Sequence, residues 1–552
     1  MAATLPKGLK AVVSKSPHDI VVLSALRTPI CRSYKGQLKD AYPEELLSVV
    51  LKATLDANPK LDPAEIDDVA VGVVLSELGG SKAARMAINH VGYPNTTSLY
   101  TVNRACSSSL QSIALVAGQI RTGMIDVGVG AGMESMTRNY GSRAIPVDVW
   151  PQLKDSPVKD ARDCVMAMGI TSENVASRYG VSRADQDAFA VESHLRAARA
   201  RAEGRFGREI VPVTTRFQEV DKQGNKVGEE RAITVTEDDG IRANASIEGL
   251  AKLKPAFRPD GASTAGNSSQ VSDGAAAALL MRRSTATELG LGGDILGKFV
   301  SAVTVGCAPD EMGIGPALAI PKLLGQVGLE NKDVDRWEIN EAFASQSLHC
   351  IRELGLENDL DKVNPDGGAI ALGHPLGATG ARMVSTLLHG LKRSEDFTIK
   401  TDNTAQEVIK MVWIEYDCSV QQVGKAQKYD VLSVQRMLPA SMIPQGITVA
   451  FQRTVRVPDN DCISALPPGL GYFPIYKTQD YASRLPPGII RDGSVFIPMY
   501  QKEAMRIRFH ATSPFMVKIY VGGVNAISGE KASESEQARQ HRAALRNEGC
   551  RI

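Results

Sequence analysis

Residues 100–136 read YTVNRACSSSLQSIALVAGQIRTGMIDVGVGAGMESM. An extended run (YTVNR) meets a turn of small residues, and the turn opens into a helical stretch. A short strand and a glycine-rich turn follow. Residues 373–393, GHPLGATGARMVSTLLHGLKR, echo this order with another glycine-rich turn and a helix of similar pattern. The echo breaks after Arg393. Where a strand and a glycine turn should come, the chain reads SEDFTIKTDNTAQEVIK instead.

From His18 to Lys392 the texture is uniform. Strand-like runs such as DIVVLSA (19–25) and DVAVGVV (68–74) alternate with amphipathic stretches such as PEELLSVVLKATLDA (43–57). This alternation predicts an α/β architecture with mostly parallel strands. Residues 138–272 differ, with an Arg-rich helical run (184–206) and a polar stretch, DKQGNKVGEERA (221–232). They are expected to form an inserted lobe of helices and loops, the charged helix presenting a solvated face. After residue 393 come PPGLGYF, LPPGII, FIPMY and FMVKIYVGGV, which predict a separate β-rich segment with Pro/Gly turns. The last polar stretch, from Ser528, is expected to fray or form an exposed helix.

Composition narrows the function classes. The 552 residues carry 63 basic and 62 acidic side chains, which argues against a dedicated nucleic-acid binder. An apolar share of 43% and a charged share of 23% describe an ordinary globular chain. No run of about 18 apolar residues occurs, so no membrane-spanning helix is expected. Eight cysteines at irregular spacings make no disulfide framework, and neither CxxC nor HExxH occurs to indicate zinc. A soluble intracellular protein is expected.

Cys106 lies where the extended run meets a helix start. Backbone N–H groups at a helix N-terminus stabilise a thiolate and cradle an oxyanion; the plainer reading is a small buried hydrophobe. His374, between glycines and before a proline, is either a base to a cysteine thiol or a structural hydrogen-bonding residue. Asn340 and Glu341, in WEINEAFASQ, end a strand-like run at a helix start. They read as a helix cap, or as an amide that orients water or a substrate carbonyl. GVGAG (128–132) lacks the third glycine of a dinucleotide fingerprint and reads as a turn near the site. AGNSSQVSDGAAAALL (265–280) reads as a small-residue loop entering a buried strand.

Together NRACSSSLQS, GAGMESM, MGITSENVA, TAGNSSQVSDGAA, NEAFASQ and NPDGGAIALGHPLGATGAR resemble the thiolases, most closely the 3-ketoacyl-CoA thiolases of peroxisomal type. The resemblance runs in order from about residue 18 to 393. It implies two duplicated α/β halves in a layered αβαβα arrangement, here with an inserted lobe, a truncated second half and a β-rich extension. On that layout residues 1–17 are an N-terminal extension and 18–137 with 273–294 the first half. Residues 138–272 are the CoA-binding lobe, 295–393 the incomplete second half, and 394–552 an unrelated tail.

The resemblance implies that Cys106 carries the acyl group as a thioester and that His374 deprotonates it. Asn340 would hold a water that, with His374, forms an oxyanion hole. Met168 and Ser269 would line the pantetheine channel, and Phe343 would wall the acyl pocket. It further implies CoA as substrate, no cofactor or metal, a homodimer and a peroxisomal location, with mitochondrion or cytosol as alternatives. Cys550-Arg551-Ile552 loosely resembles a peroxisomal tripeptide. The family's C-x-G-x-G motif, whose cysteine is the second acid/base, does not follow Arg393; Cys418 is the nearest later cysteine. The activities in view are therefore a degradative thiolase, a biosynthetic acetoacetyl-CoA thiolase, or an impaired acyl-CoA binder. A thiolase fused to a lipid-transfer domain is a further layout, disfavoured by NEAF.

Overall fold

Aliphatic runs bounded by turns become strands: β1 (Ile20–Arg27), β2 (Cys31–Arg32), β3 (Asp68–Gly72), β4 (Ser98–Val102), β5 (Val127–Ser135), β6 (Val213–Val220), β7 (Lys226–Val235), β8 (Ser272–Arg282) and β9 (Gly297–Phe299). The computed structural model describes residues 7–139, 146, 148–221 and 224–398, together with short strands between 431 and 525. The chain divides into two units, residues 1–421 and 422–552.

In the first unit a seven-stranded sheet runs β4-β3-β5-β8-β1-β9, with β2 also paired to β8. Side chains alternate across it with period two. On β8, Ala275, Ala277, Leu279 and Met281 pack against Leu46, Leu47, Val50 and Leu51 of the helix Pro43–Asp56. Ala276, Ala278 and Leu280 face the other way, onto Ile113 and Val116 of the helix Ser108–Thr122 and Val384 and Leu388 of the helix Thr379–Thr398. Each such Leu, Ile or Val stabilises the fold by about 1.5–3 kcal/mol on burial. The two helices of the internal echo thus lie on one face of one sheet.

The expected parallel sheet is corrected to a mixed one. Only β3–β4 and β3–β5 pair in parallel; β8 runs antiparallel to β5, β1 and β2, and β9 antiparallel to β1. The reason is the insertion. Ser135 at the end of β5 pairs with Asp273 at the start of β8, so the chain re-enters the sheet where it left it.

GVGAG is not a turn. It lies within β5, whose nine residues are all buried. Its glycines recur at every second position because the helix Ser108–Thr122 lies directly on that face. A Cβ on Gly130 would stand 2.7 Å from the Ile113 Cα, and one on Gly132 2.1 Å from the Gly377 carbonyl oxygen.

The middle lobe departs from expectation in its polar stretch. Its charged helix, Arg183–Ala202, keeps the expected exposed face, and its other face buries Ala190, Ser193, His194, Ala197 and Ala200, the small Ala197 and Ala200 packing with Ala371 and Leu372. The polar stretch at 221–232 enters β7, the second strand of an antiparallel hairpin with β6. Its side chains are mostly exposed, which is why it reads as loop.

The second half contributes β9 and the helices Gly315–Val327, Ala344–Glu353 and Thr379–Thr398. The last runs beyond Arg393, where the echo breaks. The extended segment before Asn340 is held on one side. Trp337 N–H donates to the Lys362 carbonyl at 2.8 Å, and Asn364 N–H donates to the Trp337 carbonyl at 2.8 Å. Among the described residues, 300–398 contain no further strand.

The described residues of the second unit lie in short strands. β10 (Val431–Gln435), β11 (Gly446–Thr454), β12 (Gly469–Tyr472) and a strand Ala504–Ala511 form an antiparallel sheet centred on β11. LPPGII, the stretch from Ser528 and Cys418 lie outside the described residues.

Candidate active site

The cysteine turn follows from a strand that must reverse into a helix within a few residues. Ala105 takes a left-handed φ of +43°, an uncommon conformation for a residue with a Cβ. Local hydrogen bonds hold it there. Ala105 N–H donates to Asn103 Oδ1 at 3.0 Å, Arg104 N–H to Ser108 Oγ at 2.9 Å, and Ser108 Oγ–H to the Ala105 carbonyl at 2.6 Å. The serines of NRACSSS therefore shape the turn. Cys106 sits half-buried just before the helix Ser108–Thr122, packed against the same core as Met168.

His374 is reached through Gly373 at φ +103°, where a Cβ would stand 2.4 Å from Ser272 Oγ. Its N–H donates to the Gln270 carbonyl at 3.2 Å, seating the loop on the entrance to β8. The ring lies between two partners: Nδ1 is 2.8 Å from Thr379 Oγ1, and Nε2 is 3.4 Å from Asn340 Nδ2. Thr379 Oγ1–H donates to the Pro375 carbonyl at 3.1 Å, so the hydroxyl accepts from Nδ1–H. The Asn340 amide nitrogen can only donate. Both partners fix the same tautomer, with the lone pair on Nε2. Burial, and then the positive charge of Arg382, push the His374 pKa down to about 3, so the ring is neutral.

Asn340 is not a cap. The helix begins at Ala344 with Phe343 at its cap position, three residues on. Asn340 Oδ1 is buried and has no hydrogen-bond partner among the described residues. Such an atom is costly unless something polar meets it. Glu341 does different work: it accepts from Ser193 Oγ at 2.6 Å, Asn364 Nδ2 at 2.8 Å and Ile370 N–H at 3.2 Å. It fixes the junction beside Asn340 to the middle lobe.

The two turns meet through their helices. Ala381 N–H donates to Ser109 Oγ at 2.9 Å, and a Cβ on Gly380 would stand 2.4 Å from the Leu110 nitrogen. The three predicted binding residues also gather. Ser269 N–H donates to the Ala342 carbonyl at 2.9 Å, and Ser268 bridges Phe343. The Phe343 ring meets Phe257 edge-on at 6.0 Å. Phe257 lies over Gly169, the neighbour of Met168, where a Cβ would fall 2.1 Å from the ring.

Phe257, Thr379 and Glu134 escape the sequence reading. Phe257 had a signal, a lone aromatic in the polar stretch KPAFRPDGAS before the TAGNSSQ loop; Glu134 had another, a lone carboxylate in a run of glycines and apolar residues. Among the described residues no group of three or more His, Cys, Asp or Glu converges to hold a metal ion, and no helix is long and apolar enough to cross a membrane.

Two family models match the chain: the thiolase N-terminal domain over residues 20–284 and the thiolase C-terminal domain over 294–402. The chain belongs to the thiolase family. It is 53% identical over 386 residues to the peroxisomal 3-ketoacyl-CoA thiolase of Homo sapiens, covering 70% of this chain and 87% of the relative. It is 51% identical over 377 residues to the peroxisomal 3-ketoacyl-CoA thiolase 2 of Arabidopsis thaliana, covering 68% and 78%. The crystal structure of the dimeric peroxisomal thiolase of Saccharomyces cerevisiae matches at 41% identity and a TM-score of 0.62, over 69% of this chain and 93% of that one. The Bacillus anthracis acetyl-CoA acetyltransferase matches at 36% identity and a TM-score of 0.59. The thiolase resemblance therefore stops near residue 402, and the second unit lies beyond it.

Proposed function

We propose that this thiolase cleaves 3-ketoacyl-CoA with CoA, giving acetyl-CoA and a shortened acyl-CoA, in peroxisomal fatty-acid β-oxidation. The observation that carries the reading is His374 held as a neutral imidazole, Nδ1–H on Thr379 and Nε2 toward Asn340. The identities to peroxisomal 3-ketoacyl-CoA thiolases support the degradative substrate class over the biosynthetic one.

In this mechanism His374 Nε2 takes the Cys106 proton, and the helix N-terminus at Ser108 favours the thiolate. The ion pair so formed offsets the burial that otherwise keeps the imidazole neutral. The thiolate sulfur attacks the 3-keto carbon. As the tetrahedral centre collapses, the bond between C2 and C3 breaks, the acyl group stays on Cys106 as a thioester, and the acetyl-CoA enolate departs and takes at carbon the proton that His374 had accepted. The thiol of a second CoA then attacks the thioester and returns the proton. Asn340 Oδ1 holds a water whose proton, with protonated His374, faces a developing oxyanion. Met168, Ser269 and Phe343, with Phe257, line the path of pantetheine and acyl chain.

The working unit is a homodimer, the state of the yeast enzyme. β4 ends the sheet, and Leu78 and Met86 beside it are 86% and 71% exposed, suiting a covered surface.

One observation favours a second reading. The sequence contains no C-x-G-x-G after Arg393, so the acid/base that serves the enolate and the second CoA has no counterpart in that motif. On this reading the chain acylates Cys106 but turns over poorly. Mixing the protein with a medium-chain 3-ketoacyl-CoA and no CoA, then weighing the Cys106 peptide, tests the shared step. An acyl adduct with release of acetyl-CoA is expected; an unmodified peptide from folded protein rules out both readings.

A further inference from the structure

Glu134 is fully buried near the end of β5, in a strand otherwise made of small and apolar residues. Its carboxylate is spent entirely on main chain. Oε2 accepts from Gly377 N–H at 3.1 Å and from Val74 N–H at 3.2 Å, and Oε1 accepts from Leu75 N–H at 3.3 Å. Gly377 belongs to the loop that carries His374 and Thr379. Val74 and Leu75 follow β3, next to the strand that leads into Cys106.

The path continues from there. The Val74 carbonyl accepts from Asn103 Nδ2 at 3.2 Å, and Asn103 Oδ1 accepts from Ala105 N–H at 3.0 Å, the residue whose left-handed backbone presents Cys106. One hydrogen-bonded path therefore runs from the histidine loop, through Glu134, the Val74 peptide and Asn103, to the cysteine turn. The loop is also keyed by shape. A Cβ on Gly377 would stand 2.6 Å from the Met133 carbonyl and 2.9 Å from the Gly72 carbonyl, so the loop can settle only at the ends of β3 and β5.

We propose that Glu134 is a positioning residue that sets the His374 loop against the Cys106 turn, acting through Gly377 on one side and Val74 and Asn103 on the other. The inference rests on the reading of Cys106 as nucleophile and His374 as its base. Its two carboxyl oxygens accept three N–H donors at once and draw them to one point, which a side chain with a single acceptor cannot do. A shift of about 1 Å between base and thiol is enough to cost about 100-fold.

The test is site-resolved alkylation of Cys106 by iodoacetamide across pH, read by mass spectrometry on the full chain. Glu134→Gln exchanges an acceptor for a donor facing N–H groups. Asn103→Ala breaks the path at an exposed side chain, so an answer remains if Glu134→Gln does not fold. Each is expected to slow alkylation at neutral pH about tenfold and to move its pH profile upward. The double variant should be little slower than the worse single, since both cut one path. In turnover, kcat should fall with KM for CoA unchanged. Leu51→Ala, a core change in the helix Pro43–Asp56, lowers stability and should leave the alkylation profile in place.

Folded Glu134→Gln or Asn103→Ala protein that alkylates within about twofold of the parent overturns the proposal. His374→Ala separates the premise from the inference. An alkylation profile unmoved by His374→Ala means that the base assignment itself is wrong, whatever Glu134 does.

Discussion

The Nδ1 of His374 and the hydroxyl of Thr379 lie 2.8 Å apart, and that hydroxyl donates onward to the Pro375 carbonyl. A side chain five residues along the same loop thus decides which imidazole nitrogen is free to take a proton. Thr379→Val keeps the shape and removes the acceptor. It should lower kcat about 10- to 100-fold with little change in KM, while Thr379→Ser retains most activity. Steady-state kinetics on the two variants check this.

Asn340→Ala removes both the amide beside Nε2 and the buried oxygen that has no partner among the described residues. A loss of one oxyanion-hole contributor predicts a fall in kcat of about 100- to 1000-fold. The thermal midpoint should change little, because the buried oxygen disappears together with the water it holds. Turnover and thermal scanning, run on the same preparation, give both numbers.

Phe257→Ala should act on binding alone. Its ring meets Phe343 edge-on and covers Gly169, so its loss opens the predicted channel without touching His374 or Asn340. An aromatic pair of this kind contributes about 0.5–1.5 kcal/mol beyond area burial. The expected result is an increase in KM of several-fold with kcat near that of the parent, read from substrate saturation curves.

Buried histidines set an acid limit on stability. The pKa of His374 is pushed down to about 3 and that of His194 to about 4, both chiefly by burial, so the unfolded chain binds protons that the folded chain refuses. Stability from these groups is present above about pH 6.5 and is lost as the pH falls toward 4. Glu134, pushed up to about 7 by burial, has the opposite sign: its contribution favours the fold at low pH and is lost as the pH rises through 7. Urea unfolding at a series of pH values should show a falling acid limb between pH 6 and 4. His374→Asn should make that limb shallower by about one proton.

The helical and strand segments of the first half were legible because their periods are local. The apolar run of DIVVLSA and the amphipathic face of residues 43–56 are each complete within one element. Strand direction was not legible, because it depends on where β8 re-enters after the lobe, as the pairing of Ser135 with Asp273 shows. GVGAG misled because glycine signals a turn locally, whereas here it admits Ile113 and the Gly377 loop, brought from far along the chain. For the site, Cys106, His374 and Asn340 stood out by motif. Thr379 and Glu134 did not, since a threonine or a strand carboxylate acquires meaning only through the partner that the fold supplies.

The central claim is a cysteine-dependent thiolase, and thiolysis by the full 552-residue chain tests it most directly. A medium-chain 3-ketoacyl-CoA and free CoA are supplied, acetyl-CoA release is followed, and Cys106→Ala serves as control. The account predicts CoA-dependent turnover on the order of 1–1000 per second that Cys106→Ala abolishes. Folded protein that releases no acetyl-CoA, or whose release is unaffected by Cys106→Ala, would contradict it.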